Sequence, residues 1–217
     1  MGLQLRDLVE GKEIELKELA GKKIAIDTYN ILYQFLASIR GPDGALLTDS
    51  HGNVTSHLMG LFSRTTNLMQ HNIQLIFVFD GKPPALKRQE QERRRQIKEE
   101  AAEAYETAKE AEDTEAMKKY ASRTARLTPE MLADAKELIA ALGFPIVQAA
   151  SEGEAQVAYL VKQGDADYGS SQDYDTLLYG IPRLVRNLSI TGKRKKAGTH
   201  SYETVKPQLI LTADVLN

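Results

Sequence analysis

The chain has 217 residues, 42% of them apolar, with a formal net charge of −2 and no cysteine. That length sets one large domain or one and a half, with enough apolar residues for a real core. The charge balance excludes a global positive field for nucleic acid, so any such affinity must sit in local patches. The lack of cysteine excludes disulfides, thiolate zinc sites and a cysteine nucleophile, as suits a reducing compartment.

No apolar run approaches the length of a membrane span, and Met1–Asp7 is interrupted by charge too early for a secretory signal. A soluble cytoplasmic protein is the expectation. In chain order, Lys22–Ile26 is a short apolar strand, and Asn30–Ile39 has helical spacing with Ile31, Leu32, Phe35 and Leu36 on one side. Residues 40–54 are turn and loop, carrying Gly41-Pro42-Asp43-Gly44 and His51-Gly52-Asn53. Ser56–His71 reads as a helix, and Gln74–Phe79 as a strand buried on both faces. This alternation predicts an α/β fold with a mainly parallel central sheet flanked by helices.

From Pro84 to about Arg126 the texture changes. The segment is rich in Ala, Glu, Lys and Arg, so propensity predicts helix, but it lacks an apolar stripe, which predicts a helix not packed on a core. Six basic residues (Lys87, Arg88, Arg93, Arg94, Arg95, Lys98) face two acids between 87 and 98, whereas 99–115 holds eight acids against Lys109. The reading is a projecting helical insert, positive near its root and negative farther out. Thr128 and Pro129 open the next helix as cap and first residue, ended by Gly143. There follow a strand at Pro145–Gln148, a helix from Ser151 to Gln163, and strands at Asp167–Ser171, Arg183–Leu188 and His200–Val205. A basic loop, Gly192-Lys193-Arg194-Lys195-Lys196, lies between the last two, and Thr212–Asn217 reads as the start of a helix. The boundaries are a nuclease region at 1–98, an overlapping insert at 84–126 and an internal region at 127–217.

Six acids stand out. Asp27 and Asp80 each end an apolar strand, the position at which open parallel sheets bind ligands; either alone is also an ordinary turn or cap residue. Glu152 and Glu154 lie in Ser151-Glu152-Gly153-Glu154, although Ser-x-x-Glu is also a capping box. Asp173 and Asp175 are two apart, and in extended chain they would face one point. If the fold brings the six together, their repulsion demands protons or cations. None of the four histidines accompanies them, so all-oxygen coordination points to Mg²⁺, with Mn²⁺ as substitute. Six carboxylates suit two ions, which about 4 Å apart can stabilise both the attacking and the leaving oxygen of an in-line displacement.

Asp80-Gly81-Lys82-Pro83-Pro84 joins one of these acids to the basic root of the insert. Lys87 and Arg94, seven apart on one helical face, could reach a phosphate held there. Tyr33 could stack on a nucleobase; by pattern alone it is a core residue.

Four segments carry a family resemblance: Val78-Phe79-Asp80-Gly81-Lys82-Pro83-Pro84, Ser151-Glu152-Gly153-Glu154-Ala155, Ser171-Gln172-Asp173-Tyr174-Asp175 and Asn187-Leu188-Ser189-Ile190-Thr191-Gly192-Lys193-Arg194-Lys195. The chain resembles, from Met1 to Asn217, the flap endonucleases of the XPG-type structure-specific nucleases, archaeal in style. The resemblance implies a PIN-like fold, with the insert as an arch over a 5′ flap. It implies metal ligation by Asp27, Asp80, Glu152, Glu154, Asp173 and Asp175, catalytic roles for Lys87 and Arg94, and DNA contacts at Gly2, Tyr33, Arg40, Lys193, Arg194 and Lys195. It implies hydrolysis at 5′ flap junctions during replication and repair by a monomer, with a nucleoid-associated location. A seventh aspartate, a helical hairpin gripping duplex DNA and a tail for the sliding clamp are expected beyond Asn217. The rivals are a PIN-like metal-dependent ribonuclease and a fragment that binds branched DNA without cutting. A phosphatase of the haloacid dehalogenase type is disfavoured, because Asp27-Thr28-Tyr29 lacks the second aspartate of that chemistry.

Overall fold

The computed structural model describes residues 9–41, 44–82, 84, 87–111, 113, 116, 120, 126–190, 192–195 and 202–215. Two compact units emerge, one from Met1–Ile31, Arg64–Gly81 and Leu142–Asn217, the other from Leu32–Ser63 and Lys82–Ala141.

The first unit is built on a seven-stranded sheet. Its strands are β1 (Lys12–Glu13), β2 (Lys23–Asp27), β3 (Gln74–Phe79), β4 (Ile146–Gln148), β5 (Tyr168–Ser170), β6 (Arg183–Arg186) and β9 (Gln208–Leu211), in the order β1-β9-β6-β5-β2-β3-β4. The five strands from β6 to β4 run parallel, while β9 pairs antiparallel with both β6 and β1. The expected mainly parallel α/β sheet is therefore present. Its centre is β2 beside β3, whose Ile24, Ala25, Ile26, Leu75, Phe77, Val78 and Phe79 are all buried. Continuous apolar runs place these strands where both faces are covered. Helix α5 (Gly153–Gln163) lays Val157, Ala158 and Val161 on that core and ends on Gly164, whose φ of +82° satisfies the left-handed cap.

The short strands β1 and β9 have no counterpart among the sequence expectations. A two-residue strand and a four-residue run behind Pro207 leave too little pattern to read. The basic loop is corrected as well. Gly192–Lys195 is β7, paired antiparallel with β8 (Tyr202–Val205), from Gly192 opposite Val205 to Lys195 opposite Tyr202. Charge does not bar a two-stranded ribbon, and the partner offers Tyr, Thr and Val, which favour strands.

Helices α1 (Thr28–Ser38) and α2 (Ser56–Gln70) each begin in one unit and end in the other. The second unit adds α3 (Arg88–Glu110) and α4 (Pro129–Ala141). Its core holds Leu32, Phe35, Leu36, Leu61, Ala135 and Ile139. The expected cap of α4 is present, with Met131 N–H donating to Thr128 Oγ1 at 3.3 Å. The expectation that the charged helix packs on nothing is corrected: Ala101 and Ala108, two turns apart on α3, are buried. Alanine buries little area, so a hydrophobic stripe made of it hides in the sequence. Elsewhere on α3 the exposed Arg95 pairs with Glu92 at 2.6 Å and with Glu99 at 3.9 Å. Among the described residues, no helix is long and apolar enough to cross a membrane.

Candidate metal centre

The carboxylates lie in the first unit, at the carboxyl ends of its central parallel strands. Asp27 closes β2 and Asp80 follows β3, and because β2 and β3 pair in register up to Asp27 opposite Val78, both acids emerge on one edge. Gly153, the first residue of α5, brings them together. Its N–H donates to Asp80 Oδ1 at 2.6 Å. A Cβ on Gly153 would lie 2.7 Å from Asp80 Oδ1 and 3.7 Å from Asp27 Oδ1. A helix N-terminus with exposed N–H groups favours such negative charge. The loop after β3 is tied down from both sides: Gln148 Nε2 donates to the Asp80 carbonyl, and Gly81 N–H donates to the Ser151 carbonyl at 2.6 Å.

Asp27 is only 5% exposed. Its Oδ1 accepts the Asn30 N–H at 3.1 Å. Burial is the main reason its pKa rises from 3.8 to about 7. The charges of Asp80 and Asp173 push it further, and hydrogen bonds from Asn30 and Ser171 oppose them. Asp27, Asp80 and Asp173 thus feel one another.

The charges of the remaining three acids all bear on one hydroxyl. Tyr179 donates to Glu152 Oε2. Its own ionisation is pushed far up, first by that hydrogen bond, then by burial, then by the charges of Glu152, Glu154 and Asp175. Asp175 Oδ1 is buried without a hydrogen-bond partner. A carboxylate oxygen deprived of both water and donors calls for a proton or a cation. The donor set is all oxygen, which suits Mg²⁺ or Mn²⁺.

Two sequence expectations change here. The cap of α5 is Glu152, in extended conformation and without a side-chain cap hydrogen bond, so the helix starts one residue later than a Ser151 cap would have it. The extended Asp-x-Asp is also corrected. Asp173 is extended, but Asp175 lies in the first turn of a 3₁₀ segment, Tyr174–Tyr179. The charge of Asp173 acts on Asp27 and that of Asp175 on Tyr179. Among the described residues, no three Asp, Glu or His side chains form a group that could hold an ion by themselves. Mg²⁺ does not require one, because it keeps several waters and takes only one or two carboxylates.

The other singled-out residues are distributed differently. Lys87, Arg94, Tyr33 and Arg40 belong to the second unit. Lys87 is the exposed residue before α3, and Arg94 lies two turns along that helix, its side chain outside the described set. Tyr33 is 38% exposed, not core, and the Lys98 ammonium sits 4.6 Å from its ring centroid. Arg40 donates to the Gly44 carbonyl at 2.9 Å, while its Nε and second terminal nitrogen are buried without partners; burial lowers its pKa. Lys193, Arg194 and Lys195 are on β7, with side chains outside the described set, and Gly2 lies outside the described residues. Sequence reasoning missed Gly153 and Tyr179. The glycine between two glutamates was the available signal for the first, since only a missing side chain lets Asp80 approach.

The XPG N-terminal domain matches residues 2–101 and the XPG I-region residues 143–217. The chain belongs to the XPG family. All six acids lie inside these two regions, Asp27 and Asp80 in the first and Glu152, Glu154, Asp173 and Asp175 in the second. The chain is 54% identical over 213 residues to the flap endonuclease 1 of Hyperthermus butylicus, covering 97% of this chain and 61% of that protein. It is 52% identical over 216 residues to that of Pyrococcus furiosus, covering 100% and 64%. Among solved structures, flap endonuclease-1 from Methanococcus jannaschii superposes with a TM-score of 0.71 at 44% identity, over 99% of this chain and 64% of that one. The Holliday junction-resolving enzyme GEN1, in complex with product DNA and Mg²⁺, shares the fold at 21% identity and a TM-score of 0.59, over 99% and 41%. The chain spans a little over three fifths of the curated relatives.

Proposed function

We propose that this chain is the nuclease portion of a structure-specific endonuclease that hydrolyses DNA phosphodiesters at 5′ flap junctions in replication and repair. The observation that carries the reading is the meeting of Asp80 and Asp27 at the bare N-terminus of α5, with Glu152 and Glu154 on either side of Gly153. Asp27, Asp80, Glu152, Glu154, Asp173 and Asp175 would hold two Mg²⁺ ions, for which Mn²⁺ can substitute. Bound there, such ions supply Lewis-acid stabilisation of charge on phosphoryl oxygens and a more acidic water.

The chain's own residues do the rest. The buried Asp27 and the backbone-held Asp80 fix the centre on rigid strand ends, so little reorganisation accompanies reaction. Lys87 and Arg94 neutralise charge that develops on the scissile phosphate. Tyr33 presents an exposed ring on which a base can stack. Arg40, Lys193, Arg194 and Lys195 bind backbone phosphates, which position DNA without reading sequence, and Gly2 contacts DNA near the cut. The partners are branched DNA and a sliding clamp, and the enzyme acts as a monomer in the cytoplasm, associated with the nucleoid.

The test is a labelled 5′ flap substrate with Mg²⁺. Cleavage at the junction, lost in Asp80→Ala while binding persists, is the expected result. Cleavage of RNA alone points to the ribonuclease reading. A mobility shift without cleavage by either this chain or its extended form points to a binding protein.

A further inference from the structure

We infer that Arg186 is a positioning residue for the turn that carries Asp173 and Asp175, holding it in the geometry a divalent cation needs. The inference rests on the metal centre proposed above and adds a residue outside its carboxylates.

Arg186 is the last residue of β6, anchored on a strand whose Leu184 and Val185 are fully buried and which pairs Arg186 with Gln208 of β9. From that fixed base the guanidinium grips both neighbours of Asp173. Its Nε and one terminal nitrogen donate to the Gln172 carbonyl at 3.3 and 3.1 Å. The other terminal nitrogen donates to the Tyr174 hydroxyl. The guanidinium carbon stands 3.9 Å from the centroid of the Tyr174 ring, close enough for a cation–π contact. Tyr174 in turn packs on the buried cluster of Val157, Leu177 and Leu184.

The grip extends to Asp27. Gln172 N–H donates to Asn30 Oδ1 at 3.3 Å, and Asn30 N–H donates to Asp27 Oδ1 at 3.1 Å. One cation on a central strand therefore braces the Asp173 turn and, through one peptide and one amide, the buried aspartate of β2. Inside the turn, Asp173 N–H donates to Ser171 Oγ at 3.1 Å and Thr176 Oγ1 to the Asp173 carbonyl at 3.2 Å. These bonds shape the turn, and Arg186 ties it to β6. A planar fork is required, because a single ammonium cannot serve a carbonyl, a hydroxyl and a ring face together. Outer partners of this kind orient metal ligands, and their loss typically costs about 10- to 100-fold in metal affinity or activity.

The test measures Mn²⁺ binding by electron paramagnetic resonance on the purified chain, with thermal melts alongside. Arg186→Met is expected to weaken Mn²⁺ affinity by about 10-fold or more at a melting temperature near that of the parent. Arg186→Lys should recover part of the loss. Tyr174→Phe, which removes one hydroxyl and keeps the ring, should shift affinity the same way by less. Parental Mn²⁺ affinity in Arg186→Met overturns the inference, as does a loss in all three variants that merely tracks melting temperature. Asp173→Asn serves as the reference. Unchanged Mn²⁺ binding in that variant overturns the metal centre itself, whatever the arginine variants do.

Discussion

Replacing Asp27 with Asn should stabilise the metal-free protein at alkaline pH while abolishing cleavage. Burial holds the Asp27 pKa at about 7 in the folded chain, against 3.8 for an unperturbed aspartate. The folded state therefore keeps a proton that the unfolded state has released, and stability falls as pH rises between those values. Below about pH 4 both states are protonated and the cost vanishes; above about 7 both are ionised and it is complete. A separation of about three units is worth on the order of 4 kcal/mol, or roughly 8–16 °C in melting temperature for a chain of this size. Asn keeps the oxygen that accepts the Asn30 N–H but carries no charge, so the variant should lack this slope. The assay is thermal and chemical denaturation in EDTA from pH 4.5 to 8, for parent and Asp27→Asn. The two should nearly coincide at pH 4.5 and diverge toward pH 8, with the variant more stable. Saturating Mg²⁺ at pH 8 should restore the parent and help the variant less, since ligand binding to the folded state adds stability. A difference that is constant across the range, or a variant less stable at pH 8 in EDTA, would refute the assignment of Asp27 as a buried, destabilising charge.

Three further outcomes are expected. Gly153→Ala gains helix propensity of up to about 1 kcal/mol, yet its Cβ would meet Asp80 Oδ1 at 2.7 Å; Mn²⁺ affinity and cleavage should fall at least about tenfold with little change in melting temperature, and unaltered affinity would contradict the close approach. Lys87→Ala should slow cleavage at saturating flap substrate far more than it weakens flap binding, because its contact matters most in the transition state; single-turnover kinetics and a binding isotherm separate the two. Gly60→Ala places a Cβ into the Phe35 ring, with Ile39 Cδ1 at 2.7 Å, so denaturant titration should show a loss of about 1–3 kcal/mol from overpacking.

Much of the fold was legible because its central strands are extreme. Leu75–Phe79 is apolar without a break, and the structure gives those five residues, with Gln74 before them, to β3. Asp27 and Asp80 were legible for the same reason, since each ends such a run and a parallel sheet sends both ends to one edge. The acids that come from loops were harder. Ser151–Glu154 matched a capping box in sequence, and only the approach of Asp80 to the Gly153 N–H shows why the helix starts one residue later than a serine cap would have it. Asp173 and Asp175 were grouped by spacing, but spacing cannot reveal that a 3₁₀ turn begins between them, leaving only Asp173 extended. The packed face of α3 was hidden because alanine carries too little area to register as a stripe.

The division of the acids into two sets bears on how the centre works. In each set one carboxylate accepts from a neutral donor, Asp80 from the Gly153 N–H and Glu152 from the Tyr179 hydroxyl. Neutral donors orient a carboxylate without cancelling its charge, whereas a lysine or arginine in the same place would compete with a cation for it. The Arg186 guanidinium contacts a carbonyl, a hydroxyl and a ring at the Asp173 turn. Negative charge is thus concentrated and kept in place, and the destabilisation expected at Asp27 is free energy that cation binding can recover. A site arranged in this way trades folding stability for affinity toward a hard cation, and the Asp27→Asn and Arg186→Met variants probe the two sides of that exchange separately.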